Sequence, residues 1–351
     1  MAQDSEPKKK LEKRDKRLLF FIGLGGLLTL GVGIVLAAFA FVNYKYEASF
    51  EAVEADTDIV FEVPRGSGLS TIAGRLEKEN LISSAFIFKL VTKLRGNEGN
   101  FKAGEFSLQR GDSMAEIYTD LADGKAILYP VTIAEGLSSI QIMSVLDASK
   151  TLIDDNPPLP AEGSLLPETY MTPRGMKQSD LIRQMQKAQT DTLDTLWSYR
   201  AENLPIKTKE EAIILASVVE KETGVGSERH EVAGVFVNRL RRGMKLQSDP
   251  TIIYGITQGL PLGRGIRRSE IDRKTDWNTY QIPALPKTAI CHPGREALEA
   301  VLNPATTENL FFVADGTGGH VFAKTLAGHQ RNVRNWRQIE RQRKLKLRGS
   351  Q

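Results

Sequence analysis

LLFFIGLGGLLTLGVGIVLAAFAFV, residues 18–42, runs for 25 positions without a charge. A helix rises about 1.5 Å per residue and about 20 apolar residues cross the hydrocarbon of a bilayer, so one span is expected here. A basic flank of Lys8, Lys9, Lys10, Lys13, Arg14, Lys16 and Arg17 precedes the run. After it comes Asn43-Tyr44-Lys45-Tyr46, with tyrosines where an interfacial belt would lie. Positive charge keeps the short flank in the cytoplasm, which sends everything beyond residue 42 across the membrane. Ala38-Phe39-Ala40 resembles a signal-peptide cleavage site. A signal h-region is only about 7–15 residues, however, so the anchor reading leads.

Outward from this run, 351 residues are too many for one small module, and two or three domains are expected. The balance of 47 Lys+Arg against 43 Asp+Glu argues against a dedicated nucleic-acid binder. Cys291 is the only cysteine, which excludes an intrachain disulfide and a cysteine-based zinc site. His230, His292, His320 and His329 never fall into the spacing of a metalloprotease helix. No metal and no cofactor are expected.

Three stretches superimpose without gaps on one glycine: FEVPRGSGLSTIAGRL, FSLQRGDSMAEIYTDL and VTIAEGLSSIQIMSVL, anchored at Gly66, Gly111 and Gly136. Phe61/Val63, Phe106/Leu108 and Val131/Ile133 before the glycine have strand spacing, and Ile72/Leu76, Ile117/Leu121 and Ile142/Leu146 after it suit a helix face. Each copy therefore reads strand, glycine turn, helix, with Ser113 and Ser138 as natural N-caps. The first copy, with the following NLISSAFIFKLV, resembles LysM modules, which bind glycans containing N-acetylglucosamine. A plain spacer without a ligand is the competing reading.

Pro157-Pro158-Leu159-Pro160 breaks the chain. Beyond EGSLLPETY (162–170) and a polar helical stretch near 178–203 comes TKEEAIILASVVEKETG, residues 208–224. Thr208 and Glu211 are spaced as a capping box, and Gly224 is placed to end the helix in the left-handed conformation. Glu222 follows Leu215, Val218 and Val219 on the more apolar face, whereas Glu220 stacks below Ile213, Ala216 and Ser217. A carboxyl among aliphatics at the negative end of a helix has its pKa raised, which makes Glu222 a candidate proton donor. The alternative is a surface acid, with Glu220 or Glu222 paired to Arg229. SERHEVAGVFVNRLRRG (227–243) reads as a second amphipathic helix with Val232, Val235, Phe236 and Leu240 inward. In LQSDPTIIYG, Asp249 sits as an N-cap before Pro250 at the first helical position. DWNTYQIPALP offers Trp277, Asn278 and Tyr280, residue types that suit a sugar groove or an ordinary turn. NLFFVADGTGGHVF reads as a hairpin, and a basic helix follows it.

Taken in order, ASVVEKETG, SERHEVAGVFVNRL, LQSDPTIIYG, WNTY, HPG and FVADGTGGH resemble the endolytic murein transglycosylases, the YceG-like family. The resemblance implies an α+β chain: a cytoplasmic tail (1–17), a transmembrane anchor (18–42) and a linker (43–57), then a LysM-like α/β domain (58–150), a mixed α+β catalytic domain (151–345) and a tail (346–351). It implies a bacterial inner-membrane protein with its domains outside the cytoplasm, acting on peptidoglycan glycan strands beside peptidoglycan synthases. It further implies cleavage between N-acetylmuramic acid and N-acetylglucosamine to leave a 1,6-anhydromuramyl end. The family's catalytic glutamate falls on Glu222, and Glu220, Gln247, Ser248, Asp249, Tyr254, Asn278 and Tyr280 are candidate substrate contacts. Ser164-Leu165-Leu166, Ala284–Thr288 and Cys291-His292 depart from the family pattern. A hydrolytic muramidase using Asp249 as second carboxylate, and a non-catalytic peptidoglycan-binding scaffold, are the rival readings.

Overall fold

A computed structural model of the chain describes residues 7–50, 58–96, 99, 101–124 and 126–349. The fold is mixed α+β and divides into two units, Met1–Ile127 and Leu128–Gln351. The uncharged run lies within helix α1 (Pro7–Glu47), which from Lys16 to Glu47 is long and apolar enough to cross a membrane. Part of the expected linker is not a linker. Residues 43–47 are the end of α1, and Val42 and Tyr46 pack into the core of the first unit, where Tyr46 is 1% exposed. Arg95 lies over the Tyr46 ring at 4.7 Å and pairs with Glu47 at 2.7 Å. Residues 51–57 lie outside the described residues.

The first unit continues as β1 (Asp58–Val63), α2 (Leu69–Lys78), α3 (Ala85–Leu94), β2 (Gly104–Gln109) and α4 (Met114–Ala122). Strands β1 and β2 pair antiparallel with Phe61 opposite Phe106, equivalent positions in the first two repeat copies. Burying both rings with Ile72, Leu76, Ile117 and Leu121 builds the core, each side chain contributing about 1.5–3 kcal/mol. Gly66 and Gly111 hold φ of 78° and 104°, which their turns require and which side-chain-bearing residues avoid. Ser113 makes the reciprocal capping box with Glu116.

The third repeat copy has the same local form, β3 (Leu128–Thr132) and α5 (Ser139–Ala148), with a capping box from Ser138 to Gln141. It belongs to the second unit, so the division falls after Ile127 rather than at residue 150. The reason is a partner the repeat pattern does not encode. After β4 (Leu152–Ile153), strand β5 (Thr169–Pro173) pairs antiparallel with β3, placing Val131 opposite Tyr170. Ile142 and Leu146 then pack against Leu165, Leu181 and Met185.

Strand β6 (Met176–Lys177) and α6 (Gln178–Ser198) lead to the main core. Helix α7 (Lys209–Glu222) runs through it, with Leu215, Ala216, Val218 and Val219 completely buried. A 3-10 turn (Gly226–Glu228) precedes α8 (Arg229–Arg241), then come α9 (Asp249–Thr257), α10 (Arg268–Asp272) and α11 (Arg295–Leu302). The hairpin is β7 (Phe311–Ala314) and β8 (His320–Ala323), and α12 (Leu326–Gly349) ends the described chain.

Candidate active site

Helix α7 delivers Glu222 to its last position. Thr208 caps the start by accepting the Glu211 N–H at 3.2 Å, but the expected box is only half made. The Glu211 carboxylate turns one residue further out, to the Lys207 N–H at 2.6 Å. At the other end Gly224 does not take the left-handed conformation; Thr223 is extended, at φ −139° and ψ 128°, and the chain leaves the helix straight. The Thr223 hydroxyl accepts the Val225 N–H at 3.0 Å, which holds this exit.

The Glu222 carboxyl is half-buried and accepts the Ser248 hydroxyl at 2.5 Å. Loss of hydration raises its pKa, opposed by the Ser248 hydrogen bond, assisted by the charge of Asp249, and opposed again by His320 and Arg239. Ser248 itself is 1% exposed. It stands at the N-cap of α9, where a serine hydroxyl ordinarily accepts from the first turn. Here it makes no such bond. Its backbone N–H donates to Thr279 Oγ1 at 2.9 Å, and its carbonyl accepts the Thr251 hydroxyl at 2.6 Å. With the backbone satisfied by two threonines, the serine hydroxyl is free to serve the carboxyl.

Asp249 is therefore the first residue of α9 and not its cap, a correction of one position. Its exposed carboxylate accepts the Tyr280 hydroxyl at 2.7 Å. Burial, and then the Asp249 carboxylate as hydrogen-bond partner and as charge, push the Tyr280 phenol up.

The charges of two further groups bear on Glu222. Arg239 of α8, 7% exposed, donates to the carbonyls of Leu310 at 2.7 Å and Leu246 at 2.6 Å. Burial lowers its pKa, while Tyr280 and Glu222 act in the opposite sense. His320 of β8 is held twice by Glu228, through its backbone N–H and through Nδ1, each at 2.8 Å. The sequence reading missed both. A signal for Arg239 was present: it follows Val232, Val235 and Phe236 by seven, four and three residues, the inward face of α8.

A groove of about 480 Å3 runs along α9, lined in part by Gln141, Lys221, Pro250, Ile253, Tyr254 and Leu260. Lys221 and Pro250 are the chain neighbours of Glu222 and Asp249.

Residues 61–335 match the YceG-like family. The chain belongs to that family. It is 31% identical over 317 residues to a Bacillus subtilis (strain 168) protein named endolytic murein transglycosylase, covering 80% of this chain and 86% of the relative. A Streptococcus pneumoniae protein of the same name is 29% identical, and the match covers 85% of this chain but 62% of that relative's length. A solved structure of a putative yceG-like protein from Listeria monocytogenes is 26% identical at a TM-score of 0.48, covering 79% of this chain and 99% of that one.

In this YceG-like chain the remaining sequence candidates divide. Tyr254 lines the groove, half over Trp277 at 5.8 Å between ring centres, and burial with the nearby Glu162 charge pushes its phenol up to about 12. Gln247 is exposed and holds φ 52°. Asn278 is 1% exposed and its amide is spent internally. Its NH2 reaches the carbonyls of Glu270, Ile271 and Arg273 at 2.7–3.2 Å, and its oxygen accepts the Tyr280 N–H at 3.0 Å. It shapes the loop and has no donor left for a sugar. Glu220 is likewise structural: its side chain, 6% exposed, accepts the Gly294 N–H at 3.0 Å and lies 3.7 Å from Arg229. The Arg229 pairing thus falls to Glu220, and Glu222 is left to Ser248.

A second buried cluster joins α5 to the segment before α11. His292 Nδ1 accepts the Leu165 N–H at 3.1 Å, which leaves its proton on Nε2, 2.9 Å from the Ser139 hydroxyl and 3.7 Å from Glu162. Burial lowers the His292 pKa to about 4, so it is neutral at ordinary pH. Cys291 beside it is buried, donates to the Ser217 carbonyl at 3.3 Å, and has its thiol pKa raised by burial.

Proposed function

We propose that this chain is a membrane-anchored lytic transglycosylase that cuts inside nascent peptidoglycan strands, with Glu222 as its acid and base. The family and the names of its relatives support peptidoglycan as substrate and a lyase as reaction class. The cleaved bond is the β-1,4 link from N-acetylmuramic acid to N-acetylglucosamine, and the product is a 1,6-anhydromuramyl end that terminates the strand. The observation that carries this reading is the Glu222 carboxyl, half-buried at the end of a helix whose Leu215, Val218 and Val219 are buried, and held by one serine hydroxyl.

An ordinary glycosidase needs two carboxylates, because a water or an enzyme oxygen must attack the sugar. Intramolecular attack removes that need. Protonated Glu222 gives its proton to the glycosidic oxygen as the C1–O bond breaks. The carboxylate left behind takes the proton of the C6 hydroxyl while O6 closes on C1. The high effective molarity of such a closure replaces a positioned water. Ser248, Asp249 and Tyr280 form the polar wall beside the acid, and Tyr254 and Gln247 are further sugar contacts. Anchoring rests on α1, with the later residues outside the cytoplasm near synthases. The β1–α2–α3–β2 order within the first unit is compatible with the LysM-like reading, and glycan binding there is part of the proposal.

Asp249 is the observation that favours a muramidase, since a second carboxylate bears on Glu222. Mass spectrometry of digested sacculi separates the two, because the anhydro product is one water lighter. Reducing ends alone would sink the transglycosylase. Glu222→Gln is expected to lower cleavage by about 10²–10⁴-fold with unchanged folding, the usual contribution of a general acid. A scaffold role predicts no change. A reporter fused after residue 351 is expected to be active only outside the cytoplasm, and cytoplasmic activity would reverse the anchor.

A further inference from the structure

Helix α12 has two faces of opposite character. Trp336 and Ile339 lie against the β7–β8 turn, where a Cβ on Gly316 would stand 3.5 and 3.0 Å from them. Arg343 donates to the Gly316 carbonyl on the same side. At 3.6 residues per turn, Arg331, Arg334, Arg337 and Arg341 fall within about 120° of the circumference on the other side. All four are exposed, and among the described residues none of them has a hydrogen bond or an ion pair. Leu345 is exposed within the same arc.

Cations on other helices of this unit are matched. Lys187 meets Asp191, Lys209 meets Asp194, and Arg268 meets Asp272. Residues 331–349 hold eight Lys and Arg and a single acid, Glu340. That excess exceeds the chain's own net charge of +4, so the rest of the protein is net negative. Arginines three and four positions apart on one face repel each other, and an anionic surface laid along the stripe relieves that repulsion. The stripe runs about 15 Å along the helix, with a leucine among its cations. Such a face matches the headgroup layer of a bilayer, where phosphates meet the guanidinium groups and the leucine reaches the acyl boundary. A bilayer is at hand, because α1 is long and apolar enough to cross one.

We propose that α12 is a membrane-surface contact, its arginine face lying on the headgroups of anionic phospholipids. The contact does not depend on Glu222 or on the reaction. It gives the second unit an attachment to the bilayer of its own, separate from α1.

The test uses the full chain held by α1 in nanodiscs of neutral phosphatidylcholine and offered to sucrose-loaded vesicles. The vesicles are phosphatidylcholine alone or its mixture with phosphatidylglycerol, and empty nanodiscs set the background. Cosedimentation is expected with the mixed vesicles only, fading as salt approaches about 1 M, where the screening length is about 3 Å. Replacing the four arginines together (Arg331→Gln, Arg334→Gln, Arg337→Gln and Arg341→Gln) is expected to weaken binding about 10³-fold, the combined worth of four cations at an anionic surface. Lysine at the same four positions is expected to retain it. A fluorophore on Gln338→Cys, exposed on the arginine face, reports α12 itself, whatever the basic N-terminal flank binds, and Cys291 is buried. Its emission is expected to be quenched by nitroxide-headgroup lipid in the mixed vesicles and not in those of phosphatidylcholine. Equal sedimentation with both kinds of vesicle, or an unquenched label on bound protein, overturns the proposal, as does quenching that survives the four Gln replacements. If those replacements instead abolish binding to isolated sacculi and leave vesicle binding unchanged, the partner is the wall polymer and the lipid contact falls.

Discussion

Glu222 carries a raised pKa because its carboxyl is short of water, and Ser248 partly offsets that by stabilising the ionised form. An acid whose pKa is raised on folding is held preferentially as the neutral form. Its ionisation therefore weakens the fold as pH rises through the unfolded value, and in the proposed role its activity as a proton donor is expected to fall as pH rises through the folded one. Ser248→Ala is expected to push the pKa higher still, so the alkaline limb of the kcat profile moves to higher pH while the rate falls by about 10- to 100-fold, a hydrogen bond to a charged group being worth about 1.5–3 kcal/mol. An unmoved limb would detach Ser248 from the acid. His292 offers an opposite case. Its pKa is lowered on folding to about 4, so the unfolded chain binds more protons between the ordinary value of 6.5 and about 4. Stability is expected to fall over that window, by about 3 kcal/mol at its lower end, and His292→Gln to flatten this part of a Tm-against-pH curve. The place of Glu222 at the end of α7 was legible in sequence because helix phase and helix ends are local properties. Asn278 was misread for a related reason: its residue type suits a sugar, yet its partners, the carbonyls of 270, 271 and 273, are a matter of loop path.

At the scale of elements, the strand–glycine–helix copies read from spacing all form, the second and third with the serine caps Ser113 and Ser138. Helix α7 begins and ends within one residue of its expected span. The exits were less legible. Gly224 carries the residue type of a left-handed stop, but Thr223 is pinned extended by its bond with Val225, and that local competitor decides. Gly163 is the reverse, a glycine whose freedom is used. It holds φ 78° between α5 and α6, and a Cβ there would crowd Ile213 of α7 and stand 2.9 Å from the Ala289 Cβ. Gly163→Ala is expected to cost about 1–3 kcal/mol through strain and overpacking, lowering Tm by several degrees in a thermal scan. An unchanged Tm would mean that the contact with α7 relaxes freely.

For the whole molecule, the apolar helix α1 and the first unit share a residue. Tyr46 belongs to α1 by helix continuity and to the first unit's core by burial, its ring tilted against that of Phe88 at 6.3 Å between centres. A soluble form beginning at residue 43 is expected to keep that unit folded. One beginning at residue 48, or Tyr46→Ala in the full chain, is expected to lose about 3–5 kcal/mol there, the cost of removing a buried aromatic side chain. Hydrogen exchange resolved by segment checks this, with protection lost in α3 and α4 while α7 and α11 keep theirs. Equal protection throughout would place Tyr46 outside the folding unit. The apolar run, the repeat copies, the capped helix and the acid at its end were all determined by the amino-acid order alone, because each depends on spacing within about 20 residues. Tertiary structure decided the rest: that the third repeat strand pairs with β5, that Ser248 turns from capping to Glu222, and that Arg239 and His320 stand around it. Those contacts join residues 17 to 98 positions apart on different elements, and a preference for such a partner is set by shape and burial of the assembled core, which no spacing within one element records.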